Sequence, residues 1–308
     1  MAAYKYGTIP SEKAQKEDTA DFWEIQALRE FGIPVSEIDI LKVVAKEFDE
    51  LNNDGIESQE DFYSDRLNDV FSHLSDRVKY SYNNYPFRFN RSSIEIDQIE
   101  SSSDYLYVFL LLATRLNMGN DRVHGGVDGT LLFEFICSHA IKQFFGDNAQ
   151  SFLFGTGAPG NFAAKVTELI HELGEGGAFK NANINPPTKN DDGIDVVVWK
   201  DFADNKEGKL IGFGQCKTGT TWRDKIHKLK PADFCMNWFK HSPVVQPIAI
   251  VFLTDTLYED QNFITDQRGF LVFNRFRVME YSITNLPEEV FNDIKSWVDA
   301  VIQIIQTN

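Results

Sequence analysis

The chain has 308 residues, 43% of them apolar and 13% aromatic, with 26 phenylalanines; this make-up belongs to a folded chain with a sizeable core and excludes a disordered one. No stretch approaches the roughly 20 uninterrupted apolar residues of a membrane span, and the opening MAAYKYGTIPSEK lacks the apolar segment of a secretory signal, so a cytoplasmic location is expected. A formal net charge of -16 argues against a surface that grips nucleic-acid phosphates everywhere, and Cys137, Cys216 and Cys235, far apart and without a CxxC pair, argue against a disulfide framework or a structural zinc.

In chain order, Ala20, Phe22, Trp23, Ile25, Ala27 and Leu28 recur near a helical period and predict a helix over 11–30. A second amphipathic helix is expected over 36–51, with Ser36 as its N-cap and Ile40, Val43, Val44 and Phe48 on its apolar face. The following NNDGIESQED is turn chemistry, and a helical pattern resumes over 61–78. The aromatic alternation of 80–89 predicts a strand, which Pro86 places at a sheet edge. After the serines at 101–103 come a helix over 104–116, a Gly/Asn/Asp loop over 117–129, and helices over 130–145 and 160–173.

Beyond these the apolar period changes from 3.6 to 2 and predicts strands at 193–200, 209–217, 246–254 and 269–282, with a helical stretch at 222–240. A last helix over 287–306 is opened by Pro287. Helices first and mixed strands later imply an acidic, mainly helical region over 1–125 and an α/β (α+β) domain over 126–308. The first region is expected to bind a protein partner, restrain the second, or make an oligomer contact, because its carboxylates would repel DNA.

The residues that carry chemistry lie in two segments. Gly193-Ile194-Asp195-Val-Val-Val-Trp is a turn feeding a strand, in which Asp195, Val197 and Trp199 share a face. Leu210-Ile-Gly-Phe-Gly-Gln215-Cys216-Lys217 is a second strand, joined to the first by the turn-rich DFADNKEG, so the two are expected to pair as a hairpin. Gln215 and Lys217 then share a face, and Cys216 points to the other. A carboxylate, an amide oxygen and an ammonium on neighbouring strands suit a phosphodiester site. Hard Mg²⁺ takes a few oxygen ligands and keeps waters, and a lysine can orient the attacking water and offset charge on the phosphate. Lys217, Arg223, Lys225, Lys228 and Lys230 against Asp224 alone form a basic strip. Such a strip can bind phosphate in an acidic protein because charges beyond about 8 Å are largely screened.

This pattern, GID followed by a strand and then QCK, resembles the PD-(D/E)XK nuclease superfamily over roughly 130–282. It is the variant in which Gln replaces the second acid, as in Mrr-type restriction endonucleases and prokaryotic defence nucleases. The resemblance implies a restriction-endonuclease-like mixed sheet flanked by helices and an Mg²⁺- or Mn²⁺-dependent endonuclease, with double-stranded DNA as the favoured substrate and restriction or anti-phage defence as the setting. It further implies Asp195 as metal-binding aspartate, Gln215 as a second ligand, the Cys216 carbonyl as a third and Lys217 as catalytic lysine. Glu134, in a Phe-Glu dipeptide, is expected to supply the family's helix glutamate, with Glu175 second to it; Glu168, Glu172 and Asp192 are further candidates. The alternative is an inactive module that keeps the fold and binds nucleic acid or a partner, another subunit of a defence complex or a second copy of the chain among them.

Three other motifs do not hold. Gly155-Thr-Gly157-Ala-Pro-Gly160 spells GxGxxG, but no second strand follows its helix. His171-Glu172 begins like a zinc-protease helix, but position 175 is Glu rather than His. The calcium-loop echo over 50–61 has Glu50 at its first position and Asp61 at its last, the reverse of what the loop needs. His124 has no triad-like context.

Overall fold

A computed structural model of the chain describes residues 16–40, 70–116, 118–155, 161–180, 193–219, 222, 226–257 and 268–307. The chain folds as two compact units, one formed by residues 1–127 with 291–308 and the other by 128–290. The first boundary falls near the expected position 125, but the last helix groups with the first unit.

In the first unit the helical elements are α1 (Lys16–Arg29), α2 (70–80) and α3 (Ser102–Arg115). Three short strands, β1 (Val35–Ser36), β2 (Arg88–Asn90) and β3 (Ser93–Glu95), form an antiparallel sheet in the order β1-β3-β2. The expected strand over 80–89 is thus realised only at its end, where Arg88 begins a tight hairpin. Residues 37–40 are helical, and Asp39 N–H donates to Ser36 Oγ at 3.4 Å, the cap expected there. The rest of the 36–51 helix, residues 61–69 and the 50–61 loop lie outside the described residues.

The charges of α1 do not form a solvated stripe. Asp21 and Glu24 are buried, and Arg77 of α2 bridges them at 2.7 and 2.6 Å, while Arg115 of α3 reaches Asp18 at 2.7 Å and Asp21 at 2.9 Å. Tyr85 and Tyr107 both donate to Glu24 Oε1. Burying these charges is tolerable because each has an opposite charge and further hydrogen bonds. α3 is capped reciprocally by Ser101 and Asp104 and is buried on every side from Tyr105 to Arg115.

A minimal hairpin, β4 (Val123–His124) and β5 (Val127–Asp128), stands at the boundary. The second unit then runs α4 (Gly129–Phe145), β6 (Ala149–Leu153), α5 (Phe162–Leu173), β7 (Val196–Lys200), β8 (Ile211–Lys217), α6 (Pro231–Trp238), β9 (Ile248–Leu253), β10 (Phe270–Phe273) and α7 (Arg275–Ser282). The final helix, α8 (Glu288–Thr307), returns to the first unit: Trp297 packs edge-on against Phe109 of α3, and Arg29 donates to Ile305 O.

The five strands form one mixed sheet in the order β10-β9-β8-β7-β6. β6, β7 and β8 are antiparallel neighbours, whereas β8, β9 and β10 run parallel. One face carries Val197, Trp199, Ile211, Phe213, Val251 and Leu253 and is covered by the apolar sides of α5 and α6. The other is covered by α4, whose Leu132, Phe133, Ile136, Cys137, Ala140 and Ile141 are buried. A mixed sheet with helices on both faces agrees with the expected fold class. Two segments differ from expectation. Residues 149–153 form the edge strand β6 between two helices, and the strand expected over 269–282 stops at Phe273, where Asn274 accepts from Arg277 N–H and opens α7. Among the described residues no helix is long and apolar enough to cross a membrane.

Candidate active site at the parting of β7 and β8

The hairpin pairing of β7 with β8 ends at Val196 opposite Gly214, one further bond running from Asp195 N–H to Gly214 O at 2.9 Å. β8 continues past this point through Gln215, Cys216 and Lys217, held on its other side by β9, where Thr254 N–H donates to Lys217 O at 3.3 Å. Main-chain groups alternate sides along a strand, so Cys216 turns its N–H and C=O towards β7. There β7 has ended, and the Cys216 N–H is taken by Asp195 Oδ2 at 2.7 Å. Asp195 is therefore fixed through its own side chain as well as through its carbonyl, which accepts the amides of Phe154 and Gly155 at 2.8 and 3.1 Å.

Gln215 is buried, and its Nε2 donates to Gly193 O at 2.7 Å. That bond fixes the amide orientation, since the reversed amide would set oxygen against oxygen. Gly193 sits at φ +78°, where a side chain is disfavoured, and a Cβ there would lie 3.1 Å from Nε2. The other amide atom, Oε1, is buried and has no hydrogen-bond partner among the described residues. Such an atom is costly to leave unmet.

Glu134 enters from α4, whose first turn is capped by Asp128 accepting from the amides of Thr130 and Leu131. Its carboxylate lies against the Cα of Gly155, at the end of β6. A Cβ at 155 would fall 2.7 Å from the carboxylate carbon and 2.8 Å from Oε1, so a side chain there would push the carboxylate back. Three residues along α4, on the same helix face, Cys137 brings its thiol near that of Cys216. Burial pushes the Cys137 thiol up, opposed by the neighbouring Cys216 thiol and reinforced by the charges of Asp195 and Glu134. Burial pushes the Cys216 thiol well above the usual range, with the neighbouring Cys137 thiol and the same two carboxylates adding to it. Glu134 and Asp195 thus act on one pair of thiols from two elements, α4 and the head of β7. Gln215, by alternation, faces the other side of β8, and Lys217 follows it on that side.

The remaining expected residues divide. Glu175 is not part of this group: it is buried, and its carboxylate accepts the amides of Gly208, Lys209 and Val244. Lys209 precedes β8, whereas Cys216 is near the strand's far end, which at about 3.3 Å per residue puts Glu175 at the opposite end of the strand. Two of these bonds pin the turn between β7 and β8, and the third ties it to the loop that leads into β9. Glu168 and Glu172 are exposed on the outer side of α5. Of the basic strip, Lys228 and Lys230 are exposed and Lys230 lies 4.0 Å from Asp233; Arg223, Lys225 and Asp192 are outside the described residues, as are Gly157 and Gly160. The expected helix over 222–240 is a short 3-10 turn, Ile226–Lys228, followed by α6. Trp238 packs on Phe162, and Trp222 is buried with Nε1 donating to Asp255.

Two neighbours of the site carried little sequence signal. Gly155 was visible only as the first glycine of a GxGxxG string. Lys165 is 1% exposed, and its Nζ donates to Gly155 O at 2.7 Å and Phe154 O at 3.4 Å. The signal for Lys165 was its place on the apolar stripe of α5, three residues after Phe162 and four before Leu169.

Comparisons with protein-family models, curated proteins and solved structures gave no match. The site is therefore read from its own chemistry. Among the described residues no group of three or more His, Cys, Asp and Glu side chains is arranged to hold a metal. The oxygen donors near the parting of the strands are the Asp195 carboxylate and the Cys216 carbonyl, with the Glu134 carboxylate reaching in from α4 on one side of β8 and the Gln215 amide oxygen on the other. All are hard oxygen donors, the type that suits Mg²⁺ or Mn²⁺ and leaves the remaining positions to water.

Proposed function

We propose that the chain is a metal-dependent phosphodiesterase acting on nucleic acid, with duplex DNA as the favoured substrate and Glu134, Asp195, Gln215 and Lys217 as its working side chains. The observation that carries this reading is the buried, unmet Oε1 of Gln215 beside Asp195 at the parting of two strands. A hard cation would satisfy that atom. The likeness of GID and QCK to the PD-(D/E)XK pattern supports the same reading and suggests restriction or anti-phage defence as its setting.

In the proposed reaction water attacks phosphorus, the P–O bond to the leaving strand breaks, and a phosphate monoester and a hydroxyl result. Asp195, held by the Cys216 N–H, and Glu134, set against Gly155, keep two anionic oxygens at a fixed place. Gln215, held by Gly193, presents a neutral oxygen between strands. Lys217 orients the attacking water and offsets charge growing on the phosphoryl oxygens. The chemistry that bound Mg²⁺ or Mn²⁺ supplies is Lewis-acid polarisation of those oxygens and a more acidic water.

Incubation with plasmid, linear duplex, single-stranded DNA and RNA under Mg²⁺, Mn²⁺ and Ca²⁺ tests the reading. Asp195→Ala and Lys217→Ala are expected to lower cleavage by about 10²- to 10³-fold, the scale of losing one group that stabilises transition-state charge, with little change in thermal midpoint for Lys217→Ala. Lys217→Ala cutting at the parent rate would refute the mechanism. The net charge of -16 favours a second reading, a module that has lost catalysis and binds a partner. Absence of Mg²⁺ and Mn²⁺ binding at millimolar concentration would select it.

A further inference from the structure

Three elements of the sheet unit meet at one dipeptide, Phe154-Gly155. Its two amides donate to the carbonyl of Asp195 at 2.8 and 3.1 Å. Its glycine Cα bears on the carboxylate of Glu134, with room for no methyl group. Its two carbonyls accept from the ammonium of Lys165, at 3.4 and 2.7 Å. Lys165 is 1% exposed, and no carboxylate among the described residues forms an ion pair with it. A lysine is almost never buried without a counter-charge, because leaving water is costly for the ammonium. Here two carbonyl dipoles and the ring of Phe154, 6.0 Å from Nζ, are what it has instead. A leucine at 165 would continue the apolar stripe of α5 without that cost.

From this geometry we infer that Lys165 and Gly155 are positioning residues for the acidic pair, Lys165 acting by holding the Phe154-Gly155 corner that fixes Glu134 and Asp195. The inference rests on the proposed metal site and extends it to α5, an element that supplies none of the site's ligands. Lys165 touches neither acid. It clamps the two carbonyls of the corner, the amides of the same corner tie down Asp195, and the bare Cα between them sets how far Glu134 advances. Loss of the clamp frees the corner and lets both carboxylates drift. Outer partners of metal ligands commonly change metal affinity by about 10- to 100-fold when removed.

The test uses the full chain and Mn²⁺ as probe, with binding read by calorimetry and cleavage read separately. Lys165→Met and Gly155→Ala are each expected to weaken Mn²⁺ binding by at least about tenfold. Both should lower kcat with KM for duplex DNA little changed. Lys165→Arg, which keeps donors for both carbonyls, is expected to recover most of the affinity. Gly155→Ala is expected to have no further effect on Mn²⁺ affinity in a Glu134→Ala background, since the methyl acts through that carboxylate. A general loss of stability would predict additivity instead. Parent-like affinity in Gly155→Ala, or additivity with Glu134→Ala, overturns the inference even where Lys165→Met fails to fold. If the parent itself binds no Mn²⁺, the proposed function falls and takes this inference with it. If the parent binds and the variants bind equally, the inference alone falls.

Discussion

Replacing Gln215 by Glu changes one atom group at the point where the site is most constrained. The Nε2 bond to Gly193 O, 2.7 Å long, is lost and an anionic oxygen faces that carbonyl in its place. The new carboxylate also joins Asp195 and Glu134, whose charges already act together on the thiols of Cys137 and Cys216. A buried acceptor left against another acceptor costs about 1–3 kcal/mol. With about 2 kcal/mol as the central figure, a unit of the size of residues 128–290 should lose about 4–8 °C in thermal midpoint. A third carboxylate should also draw a divalent cation more tightly, and each tenfold gain in affinity returns about 1.4 kcal/mol under excess metal. Scanning calorimetry of parent and Gln215→Glu, in chelator and in excess Mn²⁺, reads both terms. The variant is expected to melt lower in chelator and to recover much of the difference in Mn²⁺. Equal midpoints in chelator, or a gap that Mn²⁺ leaves unchanged, would refute the account of Gln215 as a held neutral ligand.

In the first unit, Arg77→Met should cost about 3–5 kcal/mol, because it strips Asp21 and Glu24 of a buried counter-charge. Arg88→Met, which removes solvent-screened pairs with Glu95 and Asp97, should cost far less; urea titrations giving both variants the same loss would contradict this. Burial, helped by the charge of Glu175, raises the Cys235 thiol from its usual 9.0 to about 12. Above pH 9 the unfolded chain therefore releases a proton that the folded chain keeps, and stability declines until the pH reaches about 12. The slope is about 1.4 kcal/mol per pH unit for each such thiol. Cys235→Ala should flatten the alkaline decline in urea midpoint, and an unaltered slope would show that the thiol is not held in its neutral form.

Much of the sheet unit was legible because its signals are local. Alternation put Gln215 and Lys217 on one face and Cys216 on the other, and the turn DFADNKEG joined β7 to β8 as a hairpin. β6 was harder to read, since five residues between two apolar helices carry too few alternations to mark a strand. The strand expected through 282 ended early because Asn274 caps a helix, a one-residue signal inside a longer apolar run. Glu175 looked available in its glycine-flanked turn, and only the fold showed three backbone amides already occupying it.

The sequence by itself determined the period of most helices, the hairpin of β7 with β8, and the adjacency of Asp195 to Gln215, since these depend on neighbours within an element or one tight turn. Tertiary structure alone decided which charges went inside: Asp21 and Glu24 against Arg77 and Arg115, and Lys165 beneath the Phe154-Gly155 corner. It also set Glu134 against Gly155 and returned α8 to the first unit. The physical reason is the same in each case. Whether a buried charge or carboxylate finds its partner depends on residues far away in the chain, and no local period encodes that distance.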